Sequence, residues 1–197
     1  MRKVVVNEFM SLDGVVQAPG GKEEDTDGGF EHGGWHLGYF EETAQKWVTQ
    51  NILEAGAFVL GRRTWEIFAG YWPNAPEEER VVGDPLNTKP KFVASKTLTE
   101  PLSWENSHLL KGDAAEAVAE LKRDEGGDLH VIGNARFVQV LNERDLVDEY
   151  RLMIDPLLIG EGKELFRRNT GFRPLRLVDG VVTSTGTILA TYARDGG

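Results

Sequence analysis

Gly61-Arg62-Arg63-Thr64 is the segment of this sequence best equipped for chemistry. It follows the apolar run Ala57-Phe58-Val59-Leu60 and opens an amphipathic stretch, Thr64-Trp65-Glu66-Ile67-Phe68, the pattern of strand, tight turn and helix. A helix N-terminus carries unpaired backbone N–H groups and a partial positive charge, and so attracts anions. Two guanidinium groups at the same turn add forks that match phosphate oxygens. Cations at that end of a helix are slightly unfavourable unless an anion joins them. The turn therefore predicts a phosphorylated ligand, the alternative being two ordinary solvated arginines.

Two further turns share this character. Ser95-Lys96 ends an apolar run and supplies a hydroxyl and a cation, and Leu129-His130-Val131-Ile132-Gly133-Asn134 repeats the strand–glycine–helix pattern. In open α/β sheets ligands bind outside the carboxyl ends of the strands. Three polar turns at such ends point to one common rim. Asp13, followed by Gly14 after the first strand, is either an ionisable group beside a ligand or a turn residue. Trp35 and His36 either cover a planar substrate or anchor their loop, and Glu161, between two glycines, is a further candidate to face a pocket.

These residues need a scaffold. Strands are expected at 3–12, 57–60, 91–95, 107–110, 129–132 and 148–154, the last continuing past Pro156 to 159, with a C-terminal hairpin at 175–182 and 187–192. Helices are expected at 39–54, with Phe40, Ala44, Trp47 and Val48 on one stripe, at 64–69, and at 135–141. Another follows Asp113, an N-cap with Glu116 in capping-box position, and ends at Gly126-Gly127. Residues 18–38 form a long glycine-rich loop, and 71–88 is a polar, proline-rich stretch with Glu77-Glu78-Glu79 either on a solvated loop or at a helix start. Strand–helix alternation followed by strands alone predicts an α/β fold, a mostly parallel central sheet flanked by helices with antiparallel C-terminal strands, as one domain over 1–197.

Composition excludes several chemistries. The 197 residues contain no cysteine, so disulfides, thiolate catalysis and thiolate metal sites are out. With 22 basic and 32 acidic residues the net charge is −10, which argues against nucleic acid and anionic membrane as partners. The expectation is a cytoplasmic protein acting on a small molecule. His32 and His36 have i, i+4 spacing, but Gly33 and Gly34 between them break the helix a shared metal would need, and no metal is expected. Neither a Walker A motif nor G-x-G-x-x-G is present.

Leu60-Gly61-Arg62-Arg63-Thr64-Trp65, the strand ending at Ser95, and Val131-Ile132-Gly133-Asn134-Ala135-Arg136-Phe137 together resemble the dihydrofolate-reductase-like fold. Ser11-Leu12-Asp13-Gly14, Asp145-Leu146-Val147-Asp148-Glu149 and Pro156-Leu157-Leu158-Ile159-Gly160-Glu161-Gly162 resemble the branch of the riboflavin-biosynthesis reductase domain, the C-terminal half of bifunctional deaminase-reductases. The resemblance spans nearly the whole chain and implies a three-layer α/β/α reductase that uses NADPH. It implies that Leu60, Gly61, Arg62, Arg63 and Thr64 hold the cofactor's phosphates, with an arginine there or Ser95 and Lys96 at the 2′-phosphate. Ile132, Gly133, Asn134, Ala135 and Phe137 would line its pyrophosphate and nicotinamide side. Asp13 would be the catalytic helper, touching substrate with Trp35 and Glu161, and a homodimer would form. A riboflavin-pathway substrate would need its own phosphate site, for which Lys163, Arg167 and Arg168 are the candidates. The alternative is a module that binds NADP(H) as a sensor without turnover.

Overall fold

The computed structural model describes residues 1–166 and 171–195. Its strands are β1 (Val4–Ser11), β2 (Ala57–Gly61), β3 (Lys91–Ala94), β4 (Ser107–Leu109), β5 (Leu129–Ile132), β6 (Glu149–Asp155), β7 (Leu175–Val182) and β8 (Ile188–Arg194). Its helices are α1 (Glu42–Glu54), α2 (Arg62–Tyr71), α3 (Arg80–Thr88), α4 (Ala114–Arg123) and α5 (Ala135–Glu143). The eight strands form one sheet in the order β4-β3-β2-β5-β1-β6-β8-β7. The first six run parallel, and β8 and β7 are antiparallel additions at one edge.

Burial on both faces explains why the central strands are continuous apolar runs. Val4, Val6 and Met10 of β1 join Val59, Val131, Val118, Val138 and Leu141 in a core under α4 and α5. Phe58, Leu60 and Val93 face the other way, into a core with Ile52 of α1, Trp65 of α2 and Leu86 of α3. The α1 stripe is as expected: Ala44 is buried with Met153 and Leu189, and Phe40, Trp47 and Val48 pack against them. Asp113 caps α4, its Oδ1 accepting from the Ala115 and Glu116 amides at 2.9 and 3.0 Å.

One alternative is resolved and two expectations need correction. Within 71–88 the three glutamates precede a helix, α3, which occupies 80–88 even with Pro85 inside it. The buried Lys91 explains its survival: Nζ donates to the carbonyls of Leu86, Asn87 and Lys89 at 2.7, 2.9 and 3.0 Å, satisfying the open end of the helix from a neighbouring strand. β6 stops at Asp155, and residues 157–159 form no strand, because the Leu157 amide turns back onto the Asp155 carbonyl. The second helix begins at Arg62 rather than Thr64, with Gly61 both the last residue of β2 and the N-cap of α2.

Candidate functional site

Parallel order places β3, β2, β5 and β1 side by side, so the residues at or just after their carboxyl ends form a row: Ser95, Gly61, Gly133 and Asp13. β2 hands the chain to α2 on one face of the sheet and β5 hands it to α5 on the other. Adjacent strands whose helices leave to opposite faces open a crevice between them, the usual ligand position in such sheets.

The two glycine turns at this crevice interlock. A β-carbon on Gly61 would stand 2.8 Å from Asn134 Cβ, and one on Gly133 would stand 2.7 Å from Thr64 Oγ1. Each turn therefore seats the other's side chain where a glycine leaves room. Gly133 and Asn134 both have positive φ, 67° and 66°, a conformation asparagine tolerates better than most residues. Asn134 Oδ1 accepts from the Phe137 amide at 3.0 Å and so caps α5. The N-terminus of α2 has no side-chain cap, because its N-cap is glycine.

The two arginines part company. Arg62, exposed, donates to Glu66 at 2.9 and 3.1 Å within its own helix. Arg63 reaches the glycine-rich loop, with Glu24 O at 3.2 Å and Asp27 and Asp25 carboxylates at 3.4 and 3.6 Å. Lys163 joins the same cluster, its Nζ 2.6 Å from Asp25 and 2.8 Å from Asp27. The Lys163 hydrogen bond, with the Lys163 and Arg63 charges, holds the Asp27 carboxyl below its ordinary range. Arg167 and Arg168 lie outside the described residues. Ser95 Oγ accepts from the Thr97 and Leu98 amides at 3.1 and 3.0 Å, and Lys96 is exposed beside it.

The loop is thereby drawn over the rim. Trp35 anchors it, donating Nε1–H to the Gln17 carbonyl at 2.8 Å and packing by Val15, Ala18 and Phe30. His36 is buried, stacked on Phe9, with Nδ1 2.7 Å from Asp155. Glu161 is 3.3 Å from His32, tying the segment around it to the loop.

Asp13 accepts from Ser11 Oγ at 2.5 Å, from the Ile159 amide at 3.1 and 3.2 Å and from the Gly160 amide at 2.7 Å. Desolvation alone would raise its carboxyl, but the bonds from Ser11, Gly160 and Ile159 outweigh it and hold the group below its ordinary value. The carboxylate is a clasp between the end of β1 and the segment after β6.

Glu8 went unnoticed in the sequence, hidden within the strand Val4–Ser11. The residue is 8% exposed, and among the described residues Oε1 has no hydrogen-bond partner. Burial, with a smaller push from Glu24, raises its carboxyl to about 8. A carboxylate in an apolar run was the available signal: strand alternation puts position 8 on the side of Val6 and Met10, facing the α5 core.

Among the described residues no group of three or more His, Cys, Asp or Glu is placed to hold a metal ion. None of their helices is long and apolar enough to cross a membrane.

The chain matches the RibD C-terminal domain over residues 2–189 and belongs to that family. It is 26% identical to the uncharacterized protein YyaP of Bacillus subtilis, over 99% of this chain and 96% of that one. A pyrimidine reductase-like protein from Corynebacterium diphtheriae has the same fold, with a TM-score of 0.65 at 13% identity, covering 100% of this chain and 93% of that one. Dihydrofolate reductase from Enterococcus faecalis, solved with NADP(H), superposes with a TM-score of 0.60 at 16% identity, covering 98% and 96%. The fold is the dihydrofolate-reductase-like α/β architecture, as the sequence motifs implied.

Proposed function

We propose that this member of the RibD C-terminal domain family is an NADPH-dependent reductase that passes hydride to a small oxidised heterocycle, with residues 1–197 acting as one reductase domain in the cytoplasm. The observation that carries the reading is the pair of interlocked turns, Gly61–Thr64 against Gly133–Asn134, at the crevice between β2 and β5. The donor set fits a dinucleotide: an α2 N-terminus without a side-chain cap, Arg62 exposed at its first turn, and Ser95-Lys96 one strand away. The family and an NADP(H)-bound structural neighbour support the same cofactor.

In this reading Leu60, Gly61, Arg62, Arg63 and Thr64 hold the phosphates, and Arg62 or Ser95 with Lys96 meets the 2′-phosphate. Arg63 must first give up its loop partners. Ile132, Gly133, Asn134, Ala135 and Phe137 line the opposite wall. The bound cofactor supplies hydride, and the protein supplies position, charge and exclusion of water. Asp13, ionised at the end of β1, faces the substrate as an acceptor and fixes the 159–160 backbone, while Trp35 and Glu161 hold the loop that roofs the pocket. Lys163 is the described cation that would meet a substrate phosphate. NADPH oxidation assayed across pterins, flavins and quinones tests the reading: turnover with one class supports it, and inertness toward all counts against it.

A second reading, an NADP(H) sensor without turnover, draws on one observation. Arg63 and Lys163 are both tied to Asp25 and Asp27 of the loop, so an anion that recruits Arg63 would release that loop. Binding of NADPH without oxidation of any acceptor favours it.

We also infer a homodimer through β7. All eight of its residues are exposed, including Leu175, Leu177, Val178, Val181 and Val182, on a sheet edge that a second copy could extend. Sedimentation of the wild type and of Leu177→Lys tests this: a dimer that the substitution dissociates supports it, and a monomeric wild type refutes it.

A further inference from the structure

We propose that Glu8 is the catalytic acid of this site, giving its carboxyl proton to the substrate atom adjacent to the carbon that receives hydride. The assignment rests on the reductase reading above and adds the residue that the reading lacks.

Reduction of a C=N bond needs a proton as well as a hydride. Asp13 cannot give one, because its carboxylate accepts bonds from Ser11, Ile159 and Gly160 and is held ionised by them. Glu8 lies five residues earlier, within β1 itself. In the β1–β5 register Asn7 pairs with Ile132, which brings Glu8 level with Gly133, where β5 gives way to the turn into α5. On the other side its register partner is Leu152 of β6. Its neighbours on its own face of β1, Val6 and Met10, are apolar, and the packed face of α5 presents Phe137 and Val138. The charged group that acts on it is Glu24, from the glycine-rich loop, and it repels.

The side chain is buried and Oε1 has no hydrogen-bond partner among the described residues. A buried carboxyl oxygen left without a donor is costly, and an apolar residue would avoid that cost. With an acid neighbour and, among the described residues, no cation acting on it, Glu8 keeps its proton near neutral pH, in line with its rise to about 8. Two carboxyls in environments that drive them apart, one ionised and one neutral, is the arrangement by which enzymes assign acid and base roles.

The step balances. Hydride from the reduced nicotinamide adds to the carbon of C=N, and the π electrons move to nitrogen. Nitrogen takes the Glu8 proton, the nicotinamide is left oxidised, and the Glu8 carboxylate is reprotonated by water.

The test uses the full chain with NADPH and 7,8-dihydropterin, a neutral C=N acceptor. Glu8→Gln is expected to bind NADPH within about twofold of wild type yet to lose about 100-fold or more in hydride transfer near neutral pH, the scale of a lost general acid. Its rate should climb about tenfold for each unit the pH falls, as solvent protonates the acceptor instead. Glu8→Asp should recover part of the loss. Carbon-13 NMR of the Glu8 carboxyl, assigned by its absence in Glu8→Gln, should show it protonated at about pH 6.5. Wild-type turnover and pH profile in Glu8→Gln, or a Glu8 carboxyl ionised at that pH, would overturn the assignment alone. A wild-type chain that binds NADPH but reduces neither this pterin nor the wider acceptor panel would overturn the reductase reading, and Glu8's role with it.

Discussion

Gly61 and Asn134 are in contact so close that no β-carbon fits between them: one built on Gly61 would lie 2.8 Å from Asn134 Cβ and Cγ. Gly61 has φ −73°, which any residue adopts, so the requirement for glycine is contact with Asn134 and not backbone strain. Gly61→Ala should therefore cost about 1–3 kcal/mol, the usual range for overpacking. Asn134→Gly in that background should restore much of the loss, since it removes the obstructing atoms and suits the positive φ. Denaturant unfolding of the two single variants and the double variant measures the coupling, and additive effects would show that the turns are independent.

Glu8 sets a pH dependence of stability whose sign follows from its raised value. The native carboxyl titrates at about 8 and the ordinary value is 4.5. Between these the native state holds a proton that the unfolded chain has lost. Its contribution is fully present below about 4.5 and is lost as pH rises through about 8. Glu8→Gln should flatten that fall, and the wild type should lose on the order of 5 kcal/mol more than the variant across this window. Urea midpoints at several pH values check the difference in slope.

Asp13 acts as a clasp, so its loss should appear first in the backbone it holds. Asp13→Ala should destabilise the protein by about 1–2 kcal/mol, the scale of hydrogen bonds to a charged group. Faster amide exchange should be confined to Ile159, Gly160 and their neighbours. Because its carboxyl is held low, this contribution is present above the ordinary 3.8 and disappears as pH falls through the native value. Unchanged exchange at Ile159 and Gly160 would remove the clasp from the account.

Arg62 and Arg63 should behave differently on substitution although they are adjacent. Arg62 is tied by an exposed i, i+4 pair with Glu66, an interaction worth about 0.3–0.5 kcal/mol, and is easily recruited by a phosphate. Arg62→Ala should weaken NADPH more than NADH. Arg63 also pins the loop through Glu24, Asp25 and Asp27. Arg63→Ala should raise protease sensitivity within 20–30, which limited proteolysis reads, and Arg62→Ala should not.

The rim was legible in the sequence because each of its parts is local. A glycine after an apolar run, with a helix pattern behind it, encodes its turn without outside help, and the positive φ of Gly133 and Asn134 is of that kind. What escaped the sequence is tertiary. α3 contains Pro85 and follows three glutamates, yet it stands because Lys91 from β3 closes its end and Trp104 donates to Asn87 within it. The fate of Arg63 depends on where a loop some forty residues away falls, and local pattern carries no trace of that. Glu8 was masked because strand alternation predicts which face a residue takes, but not whether a partner waits there.

Titration calorimetry of NADPH and, separately, NADH into the wild-type chain tests the central claim most directly. Binding of NADPH at one site per chain, about tenfold or more tighter than NADH and weakened toward the NADH value by Arg62→Ala, is the predicted result. Failure of both cofactors to bind would contradict the account at its base, because the interlocked turns around Gly61 and Asn134 would then hold no dinucleotide at all.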